Sequence, residues 1–425
     1  MQFDASTNHR RRQMRVFLIT WVAYAGCYLC RKNLSVLIPA LSAAGYSDMQ
    51  LANLLFGLNL FYFLGQFSSG VLADRVGPVL VVGIGMFTSA LSNLTMGLSV
   101  SVSALFVLSC VNGAGQSATW SGLVKIMASW FGLRERGVVM GWWCTNYVLG
   151  GFIATSFAAY VTYQMPWFKS LNFKRGFIVP AAALMAITVV FVSMTRSGPA
   201  DRDNAEEVVG AESNPLQLSL GRWRFLRIVL ANPSVWVMST AYLFLKLTRY
   251  ILLFWLPYYM TSRLGYSAAQ AGYTSSLYEL AGFPGALIAG SVSDRWMQAR
   301  RFPVLAMMTW GLGIVLLVYP LAAERSFMAG AVGIALAGLL TYGPDTLISG
   351  AASQDAGAGG GTATAAGFIC GIGSIGQFLS GYVATYVKGS AGWTALFVWL
   401  AAFCLCGGLL FASKWNHKVS MSDSG

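Results

Sequence analysis

Long apolar runs alternate with short polar breaks along nearly the whole chain. A helix needs about 20 predominantly apolar residues to cross a bilayer. The pattern predicts spans near 14–43, 51–74, 79–98, 102–131, 138–163, 174–195, 233–262, 267–296, 302–321, 326–350, 363–388 and 391–413. The fold class expected is therefore an all-α membrane protein with twelve transmembrane helices. One break differs from the rest. The stretch Arg196–Ser219, "RSGPADRDNAEEVVGAESNPLQLS", holds five of the fifteen acidic residues together with Gly, Pro, Asn and Ser. Such a composition predicts a flexible linker. The chain is thus expected to divide into a six-helix half at 1–195, a linker at 196–225 and a second six-helix half at 226–425.

Composition excludes a soluble enzyme. The 425 residues are 56% hydrophobic and 10% charged, against about 25% charged in soluble domains. The net charge of +13 would suit nucleic acid or acidic lipid, but its distribution points elsewhere. Of the 28 Lys and Arg, 17 fall on one side of the predicted spans, six fall opposite and five lie inside spans. The positive-inside rule then places both termini in the cytoplasm, the chain being a multi-pass protein of the cell membrane. No nucleic-acid partner is expected. Lipid contact by Arg10–Arg12 is a secondary possibility. The amino end lacks a small-residue cleavage site before Arg31, so no cleaved signal peptide is expected.

Catalytic and metal chemistry find little footing. All seven cysteines fall inside predicted helices, and the Cys27–Cys30 pair lacks a second pair or a nearby histidine. Packing is the reading they support. His9 and His417 are terminal, so no histidine relay operates in the membrane. "GAGGG" (Gly357–Gly361) lacks the Lys-Ser/Thr of a phosphate-binding loop. No cofactor, no metal and no enzymatic activity are expected.

The charges within the spans carry the chemistry. An ionised side chain in hydrocarbon is costly and normally faces a cavity or pathway. Tyr24, Tyr28 and Arg31 lie at i, i+4 and i+7 on one helical face, and Lys246 and Arg249 share a face of span 7. A guanidinium offers a planar fork of donors matched to phosphate or carboxylate. The acids available inside spans are Glu279 and Asp345. Two readings stay open: a surplus of cations that selects an anion, or internal neutralisation, with Lys32 on Glu279 and Asp345 on Lys246 or Arg249. Lys32 points about 100° away from Arg31 around the helix. Lys125, near the end of span 4, is expected to snorkel to the interface. Gly150, Gly151, Gly371, Gly373 and Gly376 are expected on closely packed surfaces of spans 5 and 11.

The halves echo each other. "GVLADRVGP" after span 2 and "GSVSDRWMQARR" after span 8 place Asp74 and Asp294 220 positions apart, and Arg31 and Arg249 are 218 apart. A duplicated six-helix unit is the arrangement of secondary transporters. The repeated G-x-x-[AS]-D-R resembles the loop motif of the major facilitator superfamily over essentially the whole chain. The resemblance implies two pseudo-symmetric halves, with Asp74, Arg75, Asp294 and Arg295 in conformational latches rather than at substrate.

A narrower likeness follows. "YLCRKNLSVLIPAL", "LTRYILLFWLPYYM", "SLYELAGFPGALIAGSVSDR", "LLTYGPDTLISG" and "GGTATAAGF" are similar to the organophosphate:phosphate antiporters. That resemblance implies that Arg31 and Arg249 clamp a phosphoryl group, that Tyr24, Tyr28, Tyr62, Tyr342 and Trp120 line the cavity, and that Lys32 and Glu279 form a salt bridge that changes during the cycle. The chain departs from the glycerol-3-phosphate type, with Gln66 in place of lysine, Asn146 in place of histidine, Lys246 in place of tyrosine and Phe254 in place of an acid. Gln66 and Asn146 can still hydrogen-bond hydroxyls or phosphate oxygens. The expected partners are a phosphorylated small organic anion, inorganic phosphate and the lipid bilayer, with a monomer sufficient. The rival readings are a membrane sensor of external sugar phosphate and a proton-coupled transporter of another organic anion, with Glu279 or Asp345 carrying the proton.

Overall fold

A computed structural model describes residues 2–99, 101–131, 139–140, 142–196, 230–298, 300–352 and 362–416. Of these, the side chains of 2–9, 67, 70–71, 74, 128, 350–351, 362–364 and 366 lie outside the description. The predicted linker beyond Arg196 also lies outside the described residues. The chain forms two compact units, Met1–Ser213 with Ser267–Tyr273, and Asn214–Tyr266 with Thr274–Gly425.

In the first unit the helices are α1 (Gln2–Cys27), α2 (Leu29–Ala43), α3 (Asp48–Val76), α4 (Pro78–Leu98), α5 (Val102–Trp130), α6 (Thr145–Ala159) and α7 (Arg175–Met194). Helix α5 packs on α3 and α4, α4 on α7, and α2 on α6. The second unit holds α8 (Pro233–Ser262), the part of α9 (Ala268–Leu280) from Thr274 onward, α10 (Gly282–Ser291), α11 (Arg301–Arg325), α12 (Phe327–Leu347) and α13 (Thr362–Ala412). There α8 and α11 pack on α13, and α12 packs on α10 and α11.

Among the described residues these helices group into twelve rods, and no strand is present. Several predicted spans are not single helices. Span 1 breaks at Tyr28 and span 8 at Ala281. Span 5 ends in a π-turn over Tyr160–Gln164. Spans 11 and 12 run on as α13 and change direction at Gly392, whose φ of +80° suits glycine. Six described segments are long and apolar enough on their own to cross a membrane. Breaks and buried polar residues weaken the others.

Polarity is turned inside out. On α4, Leu80, Ile84, Phe87 and Leu91 recur at helical spacing and are 46–58% exposed. The opposite face carries Ser89 and Asn93, which are fully buried. Lipid accepts the apolar face; hydrogen bonds inside the unit satisfy the polar one. Arg175, which reads from sequence as a topology charge, has a structural task. It donates to the carbonyls of Thr162 (3.1 and 2.8 Å), Met165 (2.7 Å) and Trp167 (3.2 Å), closing the irregular end of the fifth rod.

The internal repeat reaches atomic detail. "GYSDMQ" opens α3 and "GYSAAQ" opens α9, 220 positions later. Gly45 (φ +95°) and Gly265 (φ +69°) make the same left-handed turn. Ser47 Oγ accepts from the Gln50 amide at 3.3 Å while Gln50 Oε1 accepts from the Ser47 amide at 2.9 Å. Ser267 and Gln270 repeat both bonds at 3.2 and 3.1 Å. These are capping boxes, each satisfying two amides that the first turn leaves orphaned. We expect Ser47→Ala and Ser267→Ala each to cost about 1 kcal/mol, with near-additive loss in the double variant. Thermal unfolding in detergent measures this; an unchanged midpoint in both single variants would remove the capping boxes from the stability account.

Candidate functional site

In the first unit the site begins at the break in span 1. The Cys30 carbonyl accepts from the side-chain amides of Asn112 at 2.8 Å and Asn93 at 3.3 Å. Asn33 donates to Asn93 Oδ1 at 3.0 Å and to the Gly176 carbonyl at 3.1 Å. The first turn of α2 is thereby tied to α4, α5 and α7, and Arg31 projects from that anchored turn. Its Nε donates to Gln116 Oε1 at 2.6 Å. Gln116 is fully buried, and its own amide nitrogen is engaged by Asn112 Oδ1 at 2.9 Å and Ser89 Oγ at 3.2 Å. With both N–H groups committed, its carbonyl oxygen is what remains for Arg31.

Aromatic faces complete the setting. The Arg31 guanidinium carbon lies 4.3 Å from the Tyr62 ring centre and 5.1 Å from that of Tyr28, within cation–π range. Tyr24 packs against Tyr28, Trp120 and Trp143 with ring centres 5.7, 4.9 and 6.1 Å away. Tyr62 reaches Arg31 because α3 and α5 approach closely. A Cβ on Gly113 would come within 3.0 Å of the Leu58 carbonyl carbon and 3.1 Å of the Tyr62 nitrogen. On α6, Asn146 is fully buried, and neither amide atom has a hydrogen-bond partner among the described residues. An unsatisfied buried amide costs about 1–3 kcal/mol, and a ligand hydroxyl or phosphate oxygen would relieve it. Gln66, one turn beyond Tyr62, is exposed.

The second unit holds a related cluster with different chemistry. Tyr242, Lys246 and Arg249 occupy the same i, i+4, i+7 register as Tyr24, Tyr28 and Arg31, each 218 positions later. Arg249 Nη1 pairs with Asp345 Oδ2 at 2.6 Å, and Tyr242 donates to Asp345 Oδ1 at 3.0 Å. The Arg249 guanidinium stands 4.5 Å from the Tyr342 ring centre. Tyr342 in turn packs edge-on against Tyr278, and Gly282 leaves room for it: a Cβ there would lie 2.6 Å from its ring. Lys246 donates to Ser374 Oγ at 3.2 Å and lies 4.9 Å from the Tyr242 ring centre. Gly373 accommodates both side chains, since a Cβ would lie 2.6 Å from Tyr242 and 3.2 Å from Lys246.

Lys32 is buried on α2 and Glu279 is buried on α9. Asp294 pairs with Arg301, whose Nη1 also donates to Ser293 Oγ at 3.0 Å, so a local bridge closes that loop. Arg295 and Arg75 are exposed, and the Asp74 side chain lies outside the described residues. Lys125 donates to the Ala73 carbonyl at 3.4 Å and so reaches the last turns of α3. Close packing holds for Gly150, Gly373 and Gly376 but not for Gly371, which faces open space.

Several residues of the clusters escape a reading by charge. Gln116, Asn112, Asn93 and Ser89 build the Arg31 support. Their signal was available as polar i, i+4 pairs inside apolar runs, Ser89 with Asn93 and Asn112 with Gln116. Trp143 walls the first cluster and donates to Thr20 Oγ1 at 3.0 Å. Tyr242 and Ser374 belong to the second. Chemically, each cluster presents a fixed guanidinium framed by tyrosines, the arrangement suited to a doubly acceptor-rich anion.

Comparison with known proteins agrees with this chemistry. The family model described as Major Facilitator Superfamily matches residues 20–379. The chain is 29% identical over 421 residues to the glycerol-3-phosphate transporter of Bacillus subtilis, covering 96% of this chain and 93% of that protein. It is 30% identical over 380 residues to sugar phosphate exchanger 3 of Bos taurus, covering 81% of this chain and 75% of that protein. A bacterial homolog of the human lysosomal transporter Spinster, crystallised inward-facing and occupied, shares the fold. Its TM-score is 0.76 at 15% identity, over 95% of this chain and 97% of that one. The chain is a multi-pass membrane protein of the Major Facilitator Superfamily and belongs to its organophosphate:phosphate antiporter family.

Proposed function

We propose that this protein carries a phosphorylated small organic anion, a sugar phosphate or glycerol 3-phosphate, in exchange for inorganic phosphate by alternating access. The observation that carries the reading is the pair of repeat-related clusters, a guanidinium framed by tyrosines in each unit. Arg31 is held by the neutral amide of Gln116, which orients the guanidinium. Arg249 is cancelled by Asp345, and Lys246 then restores one positive charge. By sequence, the four span cations Arg31, Lys32, Lys246 and Arg249 outnumber the two span acids Glu279 and Asp345 by two. A phosphoryl dianion has the matching charge, whereas a neutral sugar has not. Both units supply one arginine, so Arg31 and Arg249 are assigned to the phosphoryl oxygens. Asn146 and Gln66 are assigned to oxygens of the cargo, and Tyr24, Tyr28, Tyr62, Trp120 and Tyr342 to the walls. Lys32, Glu279 and the Asp74, Arg75, Asp294 and Arg295 loops keep the gating roles that the family resemblance implies. The excess of basic residues in one set of loops supports cytoplasmic termini.

The test is counterflow in proteoliposomes loaded with inorganic phosphate. External glycerol 3-phosphate or hexose 6-phosphate should enter against phosphate efflux. Arg31→Lys and Arg249→Lys should each slow exchange on the order of tenfold or more, because an ammonium cannot reproduce the bidentate fork. Exchange untouched by both replacements would remove the guanidinium clamp. Specific binding with no flux would replace transport by sensing, and uptake driven by a pH gradient without phosphate would favour proton coupling.

Asp345 allows a second check. Removing one partner of a buried ion pair leaves the other uncompensated, at about 3–5 kcal/mol. Asp345→Asn should therefore lower the melting temperature of the substrate-free protein. Added phosphate should then raise it by more than in the wild type, since ligand binding to the folded state adds stability. Equal phosphate-induced shifts in the two proteins would show that Asp345 does not compete with the anion for Arg249.

A further inference from the structure

The first unit carries a second concentration of positive charge, remote in sequence from Arg31. A cavity of about 380 Å³ opens there, lined by Arg12 and Arg15 from α1, Trp130 from the end of α5, Ser193 and Met194 from the end of α7 and Arg196 just beyond it. Three hydrogen-bonded segments build it. Gln13 donates to the Trp130 carbonyl at 2.8 Å, and the Trp130 indole donates to the Arg196 carbonyl at 3.0 Å. Helices α1 and α7 lie side by side, since a Cβ on Gly26 would come within 2.8 Å of Ile187. Among the described residues none of the three guanidiniums is in an ion pair. Thr195, between two lining residues, is 6% exposed and its hydroxyl has no hydrogen-bond partner among the described residues.

The apolar surface below this crown indicates what occupies it. On α1, Leu18 and Val22 are 53% and 45% exposed, on the helical face that Arg15 begins. On α7, Val189 and Val192 are 64% and 48% exposed, on the face that Arg196 ends. Two lipid-facing apolar stripes thus terminate in arginines at the rim of one cavity. A soluble anion would use the guanidiniums and leave the stripes unused. A phospholipid uses both, its phosphate at the arginines and its acyl chains along the stripes.

We propose that this cavity binds the phosphate headgroup of an anionic phospholipid and anchors the α1–α7 edge of the first unit at the membrane boundary. Basic pockets between transmembrane helices are suited to such headgroups, and indole and guanidinium groups favour that depth. The site is independent of Arg31 and of the transported anion.

Native mass spectrometry of the full-length protein, released from phosphatidylcholine nanodiscs containing phosphatidylglycerol, tests this. The wild type should retain phosphatidylglycerol in preference to phosphatidylcholine. Arg12→Gln, Arg15→Gln and Arg196→Gln should each weaken retention about fivefold, and the lysine replacements should preserve most of it. These positions are at the surface, and an unchanged melting temperature in phosphatidylcholine alone confirms intact folding of each variant. Retention by the triple glutamine variant equal to that of the wild type would overturn the site. Displacement of the lipid by inorganic phosphate, in the wild type and in Arg31→Lys alike, would assign the cavity to a soluble anion and overturn the lipid assignment.

Discussion

A guanidinium placed in hydrocarbon loses its water, and the structure around Arg31 and Arg249 is organised by that loss. Desolvation of a charge is tolerable only where fixed dipoles, π-faces or a counter-charge replace the solvent. The two units solve the same problem differently. Around Arg31 the replacement includes one amide oxygen at 2.6 Å and two tyrosine faces. Around Arg249 it is ionic, with a carboxylate at 2.6 Å that a tyrosine hydroxyl also holds. The ionic solution hides the charge until something competes with Asp345.

Neither solution would hold on a straight, isolated helix. The Cys30 carbonyl is captured by two asparagines from neighbouring helices, which is how side chains entering a backbone ladder cause a bend. The bend at Tyr28 separates α1 from α2 immediately before Arg31. In the second unit Asp345 follows Pro344 near the end of α12, and its carbonyl accepts from Ser349 in the π-turn beyond. Irregular backbone in the membrane is found where it lines protein rather than lipid. Glycines at 113, 282 and 373 then let neighbouring helices and rings come close enough to frame each cation.

Much of this was legible from residue spacing. The i, i+4, i+7 alignment of Tyr24, Tyr28 and Arg31 put the three on one face, and Arg31 does stack on Tyr28. The 218-residue offset marked Arg249 as its counterpart. What spacing could not settle was choice among partners. Asp345 was equally suited by sequence to Lys246 or Arg249, and only the 2.6 Å approach selects the arginine. Gln116 was passed over because an amide in an apolar run carries no charge to draw attention, although its i, i+4 relation to Asn112 was there to read. The echo between "GYSDMQ" and "GYSAAQ" was likewise present in the letters. Its meaning depended on side-chain bonds too local for a pattern of apolar runs to reveal.

The difference between arginine and lysine bears on exchange itself. A guanidinium does not release its proton under any physiological condition, so the Arg31 cluster keeps its charge when no anion is bound. Proton loss cannot relieve that charge, whereas an incoming anion can compensate it. A cycle in which one phosphorylated anion replaces another never needs the empty, charged form to rearrange. A carrier relying on a titrating carboxylate or histidine would escape that restriction, but the group aligned with Tyr28 in the repeat is Lys246, a second cation. That position adds a cation rather than a titrating carboxylate, which supports the proposed exchange of one anion for another.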